Sequence, residues 1–141
     1  MFPIAKMKDS RRIHFMKFVD DLGFFDITDL FRNGFMYIDI RMRYDYWAGD
    51  IWVLDLKNIT LSHILTLKPT ILRKAALLFQ NGLNWRIQSI YVINLMGSAS
   101  LAQRALDFLK QFFSALIMSR VVICEEPEDL LKEIPEEFLP E

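Results

Sequence analysis

The stretch "GDIWVLDL" (residues 49–56) decides how this chain is built. Behind Gly49 it is almost continuously apolar, the pattern of a strand covered on both faces. Alternation along it sends Trp52, Leu54 and Leu56 one way and Ile51, Val53 and Asp55 the other. A strand covered on both sides needs neighbouring layers, and the flanking sequence supplies them.

Upstream, "RIHFMKF" (12–18) alternates as a strand should. Downstream, "IQSIYVINL" (87–95) puts Ile90 and Val92 on one face and Tyr91 and Ile93 on the other, and "RVVIC" (120–124) reads as a short fourth strand. Between them the period changes to that of helices. In "DITDLFRNGFMYIDIRMRYDYW" (26–47) Asp26 or Thr28 caps a run in which Leu30, Phe31, Phe35, Ile38 and Met42 recur at helical spacing. Gly34 inside it is either a mild cost or a point of close packing. Two helical pieces follow, "TLSHILTL" (60–67) and "PTILRKAALLFQNG" (69–82), the second opened by Pro69 and stopped by Gly82. A long helix is predicted over 99–118, and "EPEDLLKEI" closes as a helix from Pro127 to the break at Pro135. Strands separated by helices predict an α/β fold with a mixed, mostly parallel sheet. The 141 residues make a single domain, 1–141, with 1–10 expected to be a disordered flank.

Apolar residues make up 52% of the chain and aromatics 13%, with twelve Phe and three Trp. The usual apolar share is roughly 45–50%. The excess fits a well-filled core, or an internal cavity lined by apolar side chains. One cysteine, Cys124, excludes an internal disulfide, and the isolated His14 and His63 form no metal-ligand cluster. No apolar run approaches the ~20 residues that span a bilayer. The start "MFPIAKMKDSRR" lacks the apolar centre of a signal peptide, so a cytoplasmic location is expected. "NIT" at Asn58 then matches a glycosylation sequon by chance.

The net charge of −1 conceals +3 over residues 1–20 and −7 over residues 125–141, the latter read as a solvated acidic end. Nothing in this balance calls for nucleic acid.

Enzyme chemistry finds little support. A phosphate loop needs several glycines whose backbone approaches the anion, and "NLMGSAS" (94–100) has one, with no Lys placed to follow. "GSAS" also lacks the second glycine of a serine-hydrolase elbow, and no His lies downstream. Cys124 beside Ile123 and Glu125 has no base and reads as a small buried residue. Asp55 at a strand's end is expected to meet backbone N–H groups or a cation rather than act as an acid catalyst. His63 reads as a packing residue. The chain is expected not to be an enzyme and to need no cofactor.

On the 99–118 helix, Leu101, Ala105, Phe108, Leu109, Phe112 and Leu116 form a stripe that Ala102, Leu106, Phe113 and Ile117 widen beyond one core-facing arc. Such a helix is either sandwiched between two neighbours or a movable cover that seals a cavity and meets a membrane when open.

Taken in order, "RRIHF", "FDITDLFRNGFMYIDI", "GDIWVLDLKNITLSHIL", "WRIQSIYVIN", "DFLKQFF", "SRVVIC" and "LLKEIPEEFLPE" resemble the CRAL-TRIO lipid-binding domain. That family includes the α-tocopherol transfer protein and the retinaldehyde-binding protein, and the segments look closest to its insect members. The resemblance starts near residue 11 and rests on the ordered series rather than on any one motif. It implies a lipid held between sheet and helices under a gate helix, which on this chain matches residues 94–120. The implied ligand-binding positions are Phe31, Phe35, Ile38, Trp52, Leu54, Leu67, Ile71, Leu78, Phe79, Ile90 and Val92, with Phe108, Leu109 and Phe112 on the gate.

Some members grip a phosphoinositide headgroup with basic residues near the gate. Arg86 and Arg120 match such positions, while Gln88 and Leu116 fall where tocopherol-type members are basic. The plain alternative makes Arg86 and Arg120 surface or carboxylate-paired residues. Asn84 and Met96 replace two prolines common in the family. The family's N-terminal helical module is missing from this sequence, which stops at "LPE" where the family continues. That fits a short gene product or a domain cut from a longer one. The implied function is binding and intermembrane transfer of a tocopherol, retinoid, carotenoid or phosphoinositide, by a monomer that visits membranes peripherally. The alternative is a lipid-sensing interaction module without transfer activity.

Overall fold

The computed structural model describes residues 5–7, 9–18, 26–46, 48–60, 63, 67–82, 86–95 and 99–139. They form a five-stranded sheet in the order β1-β2-β3-β4-β5. The strands are β1 (Ala5–Lys6), β2 (Arg11–Lys17), β3 (Gly49–Asp55), β4 (Ile87–Ile93) and β5 (Val121–Ile123). Strands β2 to β5 are all parallel, and β1 joins the edge antiparallel to β2. Ala5 and Lys6 thus pair in a stretch expected to be disordered. The turn that folds them back is closed by Met7 and Ser10, whose N–H groups donate to Arg11 O and Met7 O at 2.9 Å each. Ser10 adopts φ 66 to make the reversal.

Parallel strands laid down in chain order send every right-handed crossover over the same face. The crossover helices are α1 (Ile27–Tyr44), α2 (Pro69–Leu77) and α3 (Ala99–Leu109). The opposite face is closed by the chain's end. There Ile13, Ile51, Val53, Tyr91, Ile93 and Cys124 pack against Leu130 and Ile134. Burial pushes the Cys124 thiol pKa up, as suits a packing residue. The predicted final helix is instead two 3₁₀ turns, Pro127–Lys132 and Glu136–Phe138. Pro135 stops the segment, and short turns suffice to plug Leu130 and Ile134 into the sheet.

Other local expectations can be checked atom by atom. Asp26 caps α1, accepting from Thr28 N at 2.7 Å. Gly34 faces open space, so its role is the mild cost and not close packing. Along α1 the buried side chains are Ile38 and Arg41, while Met42, assigned to the apolar stripe, is 37% exposed. Asp55 Oδ1 accepts from Lys57 N at 3.1 Å and from Asn94 Nδ2 at 3.0 Å. The 60–67 helix falls mostly outside the described residues; within it His63 Nδ1 accepts from Thr60 N at 3.1 Å.

The predicted 99–118 helix breaks. It runs as α3 to Leu109, passes through a turn at 110–114, and restarts as α4 (Ala115–Met118). Two hydrogen bonds hold the break. Ser114 accepts from Ile117 N at 3.4 Å as the cap of α4, and Ser114 N donates to Gln80 Oε1 at 2.8 Å. Gln80 belongs to a wide π turn, Leu78–Gly82, that ends α2, and its Nε2 also donates to Ala76 O at 3.0 Å. The stretch "GSAS" (97–100) falls partly outside the described residues, and of it only Ala99 and Ser100 are placed, at the start of α3.

Candidate ligand cavity

The side chains that alternation sends toward the helices meet them only in part: Trp52 and Ile87 pack against Ile38 of α1, and beyond them a gap remains. Between the sheet and its helical layer lies a cavity of about 300 Å3, and every described side chain that lines it is apolar. This is the small end of the range for ligand pockets. Its floor is the helix-side face of four strands: Met16 of β2, Trp52 and Leu54 of β3, Ile87, Ile90 and Val92 of β4, Val121 and Ile123 of β5. Leu30 and Phe31 of α1 form one wall, Leu72 of α2 and Phe79 of the π turn another. Ala102, Ala105, Leu106 and Leu109 of α3 cover it, continued by Phe113, Ile117 and Met118.

Eight of the fourteen ligand positions expected from the resemblance lie on this lining: Phe31, Trp52, Leu54, Leu67, Phe79, Ile90, Val92 and Leu109. The other six stand off it. Phe35 stacks behind the wall, its ring 6.1 Å from Phe31 and 5.2 Å from Phe79. Ile38 is buried against Trp52 and Ile87, Ile71 is half-buried, and Leu78 is exposed. Phe108 and Phe112 pack on each other at 5.3 Å, Phe108 against Ile59 and Ala105 outside the cavity.

The break at 110–114 explains the gate residues. A continuous helix would carry the Leu109 face onward through Phe112 and Leu116. Phe113, four residues past Leu109, stays inward as it would on a continuous helix, while past the break Ile117 lines the cavity and Leu116 is 62% exposed. The floor residues that the resemblance did not supply, such as Met16 and Ile123, sit two residues along a strand from an inward neighbour. Strict period-2 counting reaches them.

Arg86 is exposed and Arg120 half-buried. A guanidinium nitrogen of Arg120 donates to Ile87 O, tying it to the start of β4. Neither arginine has a carboxylate partner among the described residues.

Beside the floor, on the same face of the sheet, lies a charged cluster that no sequence pattern announced. His14 is 2% exposed and stacks flat on Trp52, centroids 4.4 Å apart and planes 6° from parallel. Its Nε2 is 2.5 Å from Oδ1 of Asp50, which is fully buried, and Arg41 Nη1 is 2.9 Å from the same nitrogen. One ring nitrogen cannot donate to a carboxylate and accept from a guanidinium together. Nε2–H therefore serves Asp50, and Arg41 faces that carboxylate at 3.6 Å. Arg41 also donates to Asp45 at 2.6 Å, and Arg12 joins it from β2 at 2.7 Å. Burial is the main cause that pushes the His14 pKa below its ordinary 6.5, with Arg41 and Arg12 adding to it and Asp50 opposing. Burial would raise Asp45, yet the hydrogen bonds from Arg12 and Arg41 outweigh it and hold that carboxyl below its usual range.

Among the described residues no group of three or more His, Cys, Asp or Glu could hold a metal, and no helix is long and apolar enough to cross a membrane. A parallel sheet roofed by helices around a wholly apolar chamber defines a class of domain that encloses greasy molecules. Consistent with that, the chain matches the CRAL/TRIO domain over residues 6–141 and belongs to that family. Domains of this family bind and transfer small lipophilic ligands and are generally carriers. Among curated proteins, none matches this sequence.

Proposed function

We propose that this protein is a non-enzymatic carrier that takes a hydrophobic small molecule from one membrane and delivers it to another. One observation carries the reading: the apolar chamber between β3–β4 and the α3–α4 cover. A lipid that buries roughly a few hundred Å2 of apolar surface there would gain several kcal/mol at ~25 cal/mol per Å2, enough to hold it without a covalent bond or cofactor. The ligand contacts are the eight expected positions on the lining, with Phe113 and Ile117 replacing Phe112 on the cover. The cargo belongs to the tocopherol, retinoid or carotenoid class, as in the transfer and retinaldehyde-binding members that the sequence resembles. The protein works as a monomer in the cytoplasm, peripheral to membranes. Arg86, exposed near the start of β4, supplies a phosphoinositide contact more readily than Arg120, whose guanidinium already serves Ile87 O.

The cover opens at its break. The Gln80–Ser114 hydrogen bond and the edge-on packing of Phe79 against Phe113, centroids 6.3 Å apart, hold the turn at 110–114 to the π turn. Native mass spectrometry of the purified protein should reveal a co-purified lipid, and the protein should move a labelled lipid between vesicles. No bound lipid, no uptake and no transfer would defeat the reading. Uptake without transfer would leave a lipid-sensing module instead.

A further inference from the structure

The outward face of α2 carries a chemistry that the cavity does not use. Around its axis Leu72, Ala75 and Ala76 point inward and are buried, while Thr70, Arg73, Lys74, Leu77 and Leu78 are exposed. Leu77 is 58% and Leu78 42% exposed, each one turn beyond a cation, Arg73 or Lys74. Neither cation has a carboxylate partner among the described residues. The sequence makes this a regional property. Residues 56–106 hold six Lys or Arg (Lys57, Lys68, Arg73, Lys74, Arg86, Arg104) and no Asp or Glu, although acids outnumber bases in the chain by 18 to 17. By contrast, the exposed apolar residues of α1 share their helix with Asp29–Arg32 and Asp39–Arg43 pairs, which cancel.

Unneutralised cations beside exposed leucines on one helix face are the elements of a helix that lies on an anionic lipid surface. The cations meet phosphates and carboxylates, and the leucines enter the acyl boundary. The position fits as well. Leu78 opens the π turn whose Phe79 lines the cavity and whose Gln80 bonds the cover at Ser114. Leu116 stands exposed on the cover just past that seam.

We infer that the outer face of α2, Arg73 and Lys74 with Leu77 and Leu78, is the surface by which the protein docks on an anionic bilayer. Docking there brings the Gln80–Ser114 seam to the lipid, and in that respect the inference rests on the carrier reading.

Sedimentation with vesicles of phosphatidylcholine alone, or mixed with phosphatidylserine, tests it. The unaltered protein binds the mixed vesicles, less so as salt rises. Arg73→Glu/Lys74→Glu weakens that binding about thirtyfold or more, since each basic residue near the surface is worth about fivefold. Leu77→Asn/Leu78→Asn weakens it while preserving the salt dependence. Arg32→Glu/Arg43→Glu, an equal change in net charge on α1, leaves binding nearly intact. Circular dichroism checks that each variant is folded. Equal binding by the α2 charge variant, or an equal loss in the α1 variant, overturns the inference. Binding only to protein-containing membranes, never to pure lipid, also overturns it and points to a protein partner. Uptake of a fluorescent apolar probe from solution separates this from the carrier reading. If the α2 variant takes up probe but not vesicles, docking is supported. If the unaltered protein binds mixed vesicles but takes up no probe, docking stands and the carrier reading fails.

Discussion

The two faces of the sheet are built from alternate residues of the same strands, yet one is solid and the other hollow. On the solid face Ile51 and Val53 meet Leu130 and Ile134, delivered by short turns that lie directly on the strands. On the hollow face Trp52 and Leu54 look into the chamber. The difference lies in what covers them. Short 3₁₀ turns can follow the sheet's surface and insert single side chains. Helices that carry rings such as Phe31 and Phe79 meet each other edge to face, at 6.4 Å here, and stand off the strands. The polar groups divide in the same way. The His14, Asp50 and Arg41 cluster lies on the hollow side, where helix α1 supplies a partner long enough to reach it.

Substitutions can break this contrast in a graded way. The largest effect is expected at Asp50. Asp50→Ala removes the buried acceptor of His14 Nε2–H and one of the two carboxylates that face Arg41, at a cost of about 3–5 kcal/mol in chemical unfolding. On the solid face Ile51→Ala opens a void with packed walls and costs about 3 kcal/mol. On the hollow face Val92→Phe fills the chamber. It should weaken binding of an apolar probe at least about tenfold, about 1.4 kcal/mol, with little loss of thermal stability. Leu54→Ala, which removes atoms already facing space, should cost only about 1 kcal/mol because few contacts disappear. If Leu54→Ala costs as much as Ile51→Ala, the hollow face is packed after all.

The smallest effect is that of pH. The His14 pKa is lowered in the folded state, so between that value and the ordinary 6.5 the unfolded chain binds the extra proton. Stability should be flat above about pH 6.5 and decline as acid is added below it. His14→Gln should remove that step from the pH profile. A step of unchanged size in His14→Gln would assign it to another group.

The alternation in "GDIWVLDL" and "IQSIYVINL" made the two faces legible from sequence, because a period of two is enforced wherever both sides are covered. Three features were not legible. The helix break at 110–114 hides in "DFLKQFFSALIM", whose apolar residues keep helical spacing throughout. It is set by a side chain from a different crossover, Gln80, and only the serine in mid-pattern hinted at it. The charged cluster joins residues that meet only through the parallel register, in which His14 pairs with Trp52 and so lies beside Asp50. Met42 read as part of the core stripe of α1, yet its neighbour Arg41 is the buried one. Asp45 at the end of α1 and Asp50 of β3 draw Arg41 inward. The lining itself was half visible: strand positions followed from alternation, whereas Phe112 and Phe113 exchanged roles at the break.

The strand order has a consequence in the time domain. Because β2 to β5 are stacked in the order of synthesis, a chain emerging from the ribosome lays down β2 to β4 and both walls before any cover exists, and β5 closes the floor only after it. Until residues 99–118 follow, Trp52, Leu54, Ile90 and Val92 present a greasy strip to the surroundings. The solid face waits longer still, for Leu130 and Ile134 at the far end. A nascent carrier is thus open to lipid before it can close, and the first cargo can enter during assembly rather than after it.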